Sequence, residues 1–323
     1  MKKVLITNCG PIMTGDIQQP TARGEVIWVE DGTIRYIGDN KPEFEKEADA
    51  ILDAQGLFVS PSMIDAHCHM PMNDYLPQYK AVDVVENYMG GGISSMISQG
   101  PRMPGLPNSV RGAKALAIAG KEIWDNNRVR RAKVHGGALR LVEGLTEDDF
   151  REVAEAGVKV LAEVGTTPVQ EPAKAAEMVR LAKKHGFIVP CISGATFERT
   201  SAVYNADDIF TIQPDVIGFL NGAPTPMSDE DISRVIREGD FYYELTADGN
   251  MRVLKNIVEE CAAAGKLGKL MIGTNTPSAS GYSPMGVWMG RRPATPSAIL
   301  TPRCASAWAP ATWPTATAWT TAR

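Results

Sequence analysis

From Leu57 onward the chain alternates short apolar runs with longer segments whose apolar residues recur at helical spacing. The runs are Leu57–Ile64, Ser94–Ser98, Ala132–His135, Val158–Glu163, Phe187–Ile192, Val216–Leu220, Phe241–Leu245 and Lys269–Ile272, all of strand length. The segments between them, 81–90, 109–126, 146–156, 172–186, 206–213, 228–238 and 251–265, read as helices. Several begin on start signals: Thr146 followed by Glu147 and Asp148, Ser228 followed by acids, and Pro172 in a first turn. Gly186 and Gly265 suit helix ends. Eight strands with helices between them predict an α/β fold, a (β/α)8 TIM-like barrel whose active site lies at the C-terminal strand ends. A doubly wound open sheet is the alternative, but no GxGxxG follows a first strand.

Before residue 57 the pattern is different. Lys3–Thr7, Val26–Glu30, Thr33–Ile37 and Ala50–Asp53 read as short strands, with Glu30-Asp31-Gly32 turning the middle two into a hairpin. At 323 residues the chain has room for one large domain and one small one. A net charge of −5 gives no electrostatic case for nucleic acid or an anionic membrane. No apolar run is long enough to span a bilayer, and the N-terminus lacks a signal-peptide core. Five scattered cysteines with no CxxC pair suit reduced thiols, which makes a cytoplasmic setting the expectation.

The chemistry collects at the strand ends. The first barrel run leads into Asp65, His67 and His69; residues two apart in a strand point to one side, so the two imidazoles can grip one cation. They are half of the chain's four histidines. Glu163 closes an otherwise apolar run, a costly place for a carboxylate unless it is paired or binds metal. His67, His69 and Glu163 would form a two-His, one-carboxylate set with positions open for water and substrate. A single divalent ion there, zinc or iron, would acidify water and polarise a carbonyl. A salt bridge or helix-cap role is the other reading of Glu163. His135, at the third strand end, is a catalytic candidate or a hydrogen-bonded wall residue, and Asp65 is a candidate near the water. Asp74 and Tyr75 are candidate substrate contacts at the mouth, and Arg102, Arg140 and Arg199 are candidates for a substrate carboxylate or plain surface charges. Cys68 points away from the histidines and reads as packing. His185 reads as a surface cation in a helix's last turn.

The motif Pro61-x-x-Ile64-Asp65-x-His67-x-His69 resembles the first-strand signature of the metal-dependent amidohydrolase superfamily. Ile27-x-Val29-Glu30-Asp31-Gly32-x-Ile34-x-x-Ile37-Gly38 with Asp53-Ala54-x-Gly56 resembles the small β-sandwich that precedes its barrel. Asp74-Tyr75, Gly91-Gly92-x-Ser94-x-Met96-Ile97-Ser98, Lys133-Val134-His135-Gly136-Gly137, Gly144-Leu145-Thr146-Glu147-x-Asp149-Phe150, Glu163-Val164-Gly165 and Asn221-Gly222-x-Pro224-Thr225 are similar to its enamidase-like members, which open cyclic enamides. The resemblance runs from about residue 3 to 287. It implies domains at 1–56 (sandwich part) and 57–287 (barrel), a cyclic-amide C–N hydrolase, His67 and His69 as first-strand ligands, Glu163 as the carboxylate that bridges two metals in the family, a small-molecule substrate and a homotetramer. The family's fifth- and sixth-strand histidines stand here as Ile192 and Phe219, and its eighth-strand aspartate as Asn275, which completes the catalytic candidates with His135 and Asp65. Neither Ile nor Phe can coordinate, and an amide cannot act as general base. A second metal is therefore not expected. The alternative is a degenerate barrel that binds a small heterocyclic acid without turnover, or one that runs metal-free acid/base chemistry on Glu163 and His135.

After about Val287 the composition changes. Residues 291–323 contain no Asp, Glu, Lys or His and hold three of the six tryptophans. A low-complexity linker is one reading of 288–323. The other is translation in a shifted frame: Thr301-Pro302-Arg303-Cys304 can be encoded so that reading one base earlier, from a preceding G, gives Asp-Pro-Glu-Val, and neighbouring runs can likewise be encoded to yield motifs of enamidase-like chains. On that reading barrel closure and sandwich are truncated at the C-terminus.

Overall fold

The computed structural model describes residues 2–72, 81–101, 106–127, 132–193, 202–222, 227–246, 249–275, 281–282 and 289–290. Asp74, Tyr75, Arg102, Arg199 and the tail from residue 291 lie outside them. The chain divides after Ser62 into two compact units.

The first unit carries β1 (Lys3–Thr7), β2 (Ile12–Met13), β3 (Thr21–Ala22), β4 (Val26–Glu30), β5 (Thr33–Gly38), α1 (Pro42–Glu47) and β6 (Ala50–Asp53). Four strands form a sheet in the order β5-β4-β1-β6, with β6 parallel to β1 and the other pairs antiparallel. The predicted hairpin is present: Asp31 (φ 48°) and Gly32 (φ 77°) both take the left-handed conformation that a tight two-residue turn requires. Leu5, Val26 and Trp28 form its buried centre, and Phe44 stacks on Trp28 at 4.7 Å.

The second unit alternates strands and helices: β7 (Met63–Cys68), α2 (Ala81–Gly90), β8 (Ile93–Ser98), α3 (Val110–Asn126), β9 (Lys133–His135), β10 (Ala138–Leu139), α4 (Glu147–Glu155), β11 (Val160–Leu161), α5 (Pro172–Lys184), β12 (Pro190–Ile192), α6 (Ala206–Ile212), β13 (Val216–Gly218), α7 (Asp229–Glu238), β14 (Tyr242–Thr246), α8 (Met251–Ala263) and β15 (Leu270–Gly273). Short β16 (Gly281–Tyr282) and β17 (Met289–Gly290) pair with each other. The helices start where their first turns are satisfied. Asp149 accepts from the Thr146 amide and hydroxyl, Ser228 accepts from the Asp231 amide, and the Glu171 carboxylate accepts from the amides of Ala173 and Lys174 ahead of Pro172.

All pairings among β7 to β15 are parallel, in the groups β7-β8-β9, β10-β11 and β12-β13-β14-β15. Bridges at Val160–Ile188 and Val164–Cys191 carry the order from β11 towards β12. At the other end the Asn275 amide donates to the His67 carbonyl at 2.8 Å, tying the segment after β15 to β7. The helices cover the sheets through one large apolar cluster that includes Phe150, Leu161, Phe187, Val235, Tyr243 and Ile257.

The strand that opens the second unit departs from expectation. It runs from Met63 to Cys68, whereas the apolar reading gave Leu57–Ile64. Leu57 and Phe58 are exposed. The strand extends instead through Asp65 and His67, whose polar side chains find partners inside the unit and so tolerate burial.

Candidate metal centre

β7 alternates Ile64-Asp65-Ala66-His67-Cys68, which turns Asp65, His67 and, just past the strand, His69 to one side. All three are buried, as is Glu163 on the segment after β11. His67, His69 and Glu163 each present one ligand atom, and these atoms lie within 4.8 Å of one another. His67 Nε2 is 3.2 Å from Glu163 Oε1, within ion-pair range but not aligned for a hydrogen bond. His69 Nε2 is 3.7 Å from Glu163 Oε2. The two imidazoles cross at 74° with centroids 5.2 Å apart.

The far side of each ring is fixed. His67 Nδ1 lies 2.8 and 2.9 Å from the two oxygens of Glu244. His69 Nδ1 lies 2.8 Å from the Gly100 carbonyl, which can only accept, so the ring proton belongs on Nδ1. Both Nε2 atoms lie on the side of Glu163, and that of His69 also meets Asn275 Oδ1 at 2.8 Å. A buried donor atom without a hydrogen bond, backed by a carboxylate on the same ring, fits a divalent cation. Burial opposes charge on His67, but Glu244 and Glu163 outweigh it and raise its pKa to about 10. The cluster as it stands attracts a positive charge at this ring, whether proton or metal.

Asp65 is held by three hydrogen bonds. Its Oδ1 accepts from the amides of His67 (3.0 Å) and Thr274 (3.1 Å), and its Oδ2 accepts from the Thr274 hydroxyl at 2.5 Å. Tyr88 reaches the same hydroxyl at 2.8 Å. Burial pushes the Asp65 pKa up to about 6 against the pull of these hydrogen bonds. Asp65 is a strap between β7 and the segment after β15, fully engaged.

Of the other candidates, Asn275 reaches the cluster, with Oδ1 2.8 Å from His69 Nε2. His135 is exposed, and among the described residues no hydrogen bond or ion pair joins it to the cluster. Its strand is only three residues long and ends before the chain turns inward at Ala138. Arg140 is half-buried beyond β10. His185 follows α5, with Nε2 3.3 Å from Glu147 Oε1. Burial pushes the Cys68 thiol well up, in line with packing. Asp74, Tyr75, Arg102 and Arg199 fall outside the described residues. Glu244 was missed: it is a carboxylate in the middle of an apolar strand, whereas Glu163 closes an apolar run.

No family model matches the chain. The sequence is 38% identical over 288 residues to enamidase of Eubacterium barkeri, a match that covers 89% of this chain and 75% of the relative. The crystal structure of an enamidase, described as a new member of the amidohydrolase superfamily, superposes with a TM-score of 0.80 at 39% identity, covering 86% of this chain and 72% of that one. The chain belongs to the amidohydrolase superfamily. Phenylurea hydrolase B, at 13% identity and a TM-score of 0.52, covers 85% of this chain and 75% of its own and shares the fold alone.

Two positions where the sequence resemblance expects histidines carry carbon side chains in this chain. Ile192 and Phe219 are both fully buried and offer no donor atom. The Phe219 ring stands edge-on to His67 at 5.3 Å, and its backbone is held at φ 55°, a strained conformation for an aromatic residue. Among the described residues no helix is long and apolar enough to cross a membrane, and Cys9, Cys68, Cys191 and Cys261 are free thiols.

Proposed function

We propose that the chain hydrolyses a C–N bond of a small cyclic amide, as the name of its enamidase relative suggests, with one divalent ion on His67, His69 and Glu163. The observation that carries this reading is the convergence of two imidazole Nε2 atoms and one buried carboxylate within 4.8 Å. The parallel strands β7 to β15, with β9 and β10 as two segments of one pass, then form the eight-stranded barrel, and the first unit forms part of a β-sandwich. An ion held there supplies Lewis-acid polarisation of the amide carbonyl and lowers the pKa of water.

In the hydrolysis, a bond forms between the water oxygen and the carbonyl carbon, the C–N bond breaks, and a proton moves to the nitrogen. The chain's own residues divide this work unevenly. Glu244 and the Gly100 carbonyl orient the two imidazoles. Asn275 contributes a neutral oxygen 2.8 Å from His69 and cannot carry the proton. Asp65 is engaged by Thr274, and His135 is exposed. Glu163 is left as the carboxylate that faces both imidazoles, and the proton transfer falls to it. The buried Ile192 and Phe219 support one ion rather than two.

The same two residues, together with Asn275, favour a second reading: a barrel that binds a small heterocyclic acid without turnover. Metal content per chain and a screen of cyclic amides separate the two. About one zinc or iron per chain, lost in His67→Ala, together with ring opening of a cyclic amide, supports the hydrolase. Absence of metal after growth with added zinc and iron overturns it.

A further inference from the structure

Glu244 sits at the centre of β14, in Tyr242-Tyr243-Glu244-Leu245-Thr246, with no exposed surface. An ionised side chain so placed needs a dedicated partner. Its partner is His67, reached through both oxygens at 2.8 and 2.9 Å. The neighbouring strands leave room for nothing larger. A Cβ on Gly218 of β13 would lie 3.0 Å from Glu244 Oε2, and one on Gly273 of β15 would overlap both Glu244 Oε1 and His67 Cβ. The carboxylate therefore occupies a slot lined by a glycine on either flank, facing the side of His67 opposite Glu163.

We propose that Glu244 is the positioning residue of this centre: it holds the His67 ring with Nδ1 protonated and Nε2 aimed at Glu163, and so sets the affinity of the site for a divalent ion. The inference rests on the metal-site reading above, but the placement of His67 does not. A carboxylate behind a ligating imidazole fixes the ring and strengthens it as a donor, and removing one weakens metal binding about 10–100-fold. Glu244 also supplies negative charge next to a site whose eighth-strand residue is the neutral Asn275.

The test uses the full chain and cobalt(II), whose visible spectrum reports its ligand geometry. Wild type and Glu244→Gln are titrated with cobalt in competition with a chromophoric chelator. Glutamine keeps the shape and can still accept from Nδ1, but it lacks the charge. The expected result is about 10–100-fold weaker binding with an altered cobalt spectrum. Affinity within twofold of wild type and an unchanged spectrum overturn the proposal. Nitrogen-15 histidine NMR of wild type gives a measurement that needs no variant to fold, and with four histidines the His67 signals are assigned by His67→Ala. A proton on His67 Nδ1 in slow solvent exchange, with or without cobalt, supports the positioning role; an unprotonated Nδ1 overturns it. If wild type takes up no cobalt, the hydrolase reading fails, and the state of Nδ1 still decides the role of Glu244.

Discussion

Gly273→Ala puts the geometry around His67 to a direct test. The new Cβ would overlap Glu244 Oε1 and His67 Cβ at once. Each has to retreat by about 1 Å to regain ordinary contact, and neither is the loose end of an exposed side chain. The His67–Glu244 contacts of 2.8 and 2.9 Å would then exceed hydrogen-bond range. Losing a charge-assisted bond of this kind costs about 1.5–3 kcal/mol. Overpacking adds about 1–3 kcal/mol. The two share one displacement, so the expected loss is about 3–5 kcal/mol rather than the sum of the extremes. Urea unfolding of metal-free protein measures it, with Gly268→Ala as the control. Gly268 has nothing within 4 Å of a built Cβ, so that change should shift stability by less than about 1 kcal/mol. If Gly273→Ala unfolds at the same urea concentration as wild type, the packing argument fails, and with it the reason for a glycine beside Glu244.

Four further outcomes follow from the same centre. With the His67 pKa raised from 6.5 to about 10, an ion binding at Nε2 displaces a proton, so zinc affinity should rise about tenfold per pH unit between pH 7 and 9; a flat profile in chelator competition would sink this. In metal-free protein the same raised pKa gives a stability contribution complete below pH 6.5 and lost as pH rises through 10, so urea midpoints should fall across that window. Asn275→Asp places a charge 2.8 Å from His69 Nε2 and should tighten zinc binding by about tenfold or more, about 1.4 kcal/mol, read by the same competition. Thr274→Val strips the hydroxyl from between Asp65 and Tyr88 and should cost about 2–3 kcal/mol in a thermal melt; an unchanged melting temperature would show that Asp65 needs no such strap.

Much of this was legible along the chain because the relevant signals are periodic. Strand and helix alternation follows from spacing, and helix starts at Thr146, Pro172 and Ser228 follow from local amide satisfaction. His67-x-His69 could be read as a pair because a strand's two-residue repeat is fixed, and Glu163 because a carboxylate closing an apolar run must be compensated. What stayed hidden depends on residues far away in sequence. The first strand begins six positions later than its apolar stretch because Asp65 is satisfied by Thr274, 209 residues on. Glu244 was overlooked because it lies mid-strand rather than at a strand end, and its partner is 177 residues away. His135 ends its strand as expected, yet so short a strand leaves it exposed.

Those separations also decide when the centre comes into being. Its defining bonds join residues 177, 206 and 209 positions apart. Closing loops of that length is entropically costly and is not rewarded until strands at both ends of the second unit are in place. A nascent chain ending before Glu244 cannot seat His67, and one ending before Asn275 cannot close the last strand against the first. On the one-ion reading, a centre with both imidazoles held from behind forms late in folding, after the scaffold has assembled. In refolding, uptake of a spectroscopic metal should follow the slowest burial phase rather than precede it.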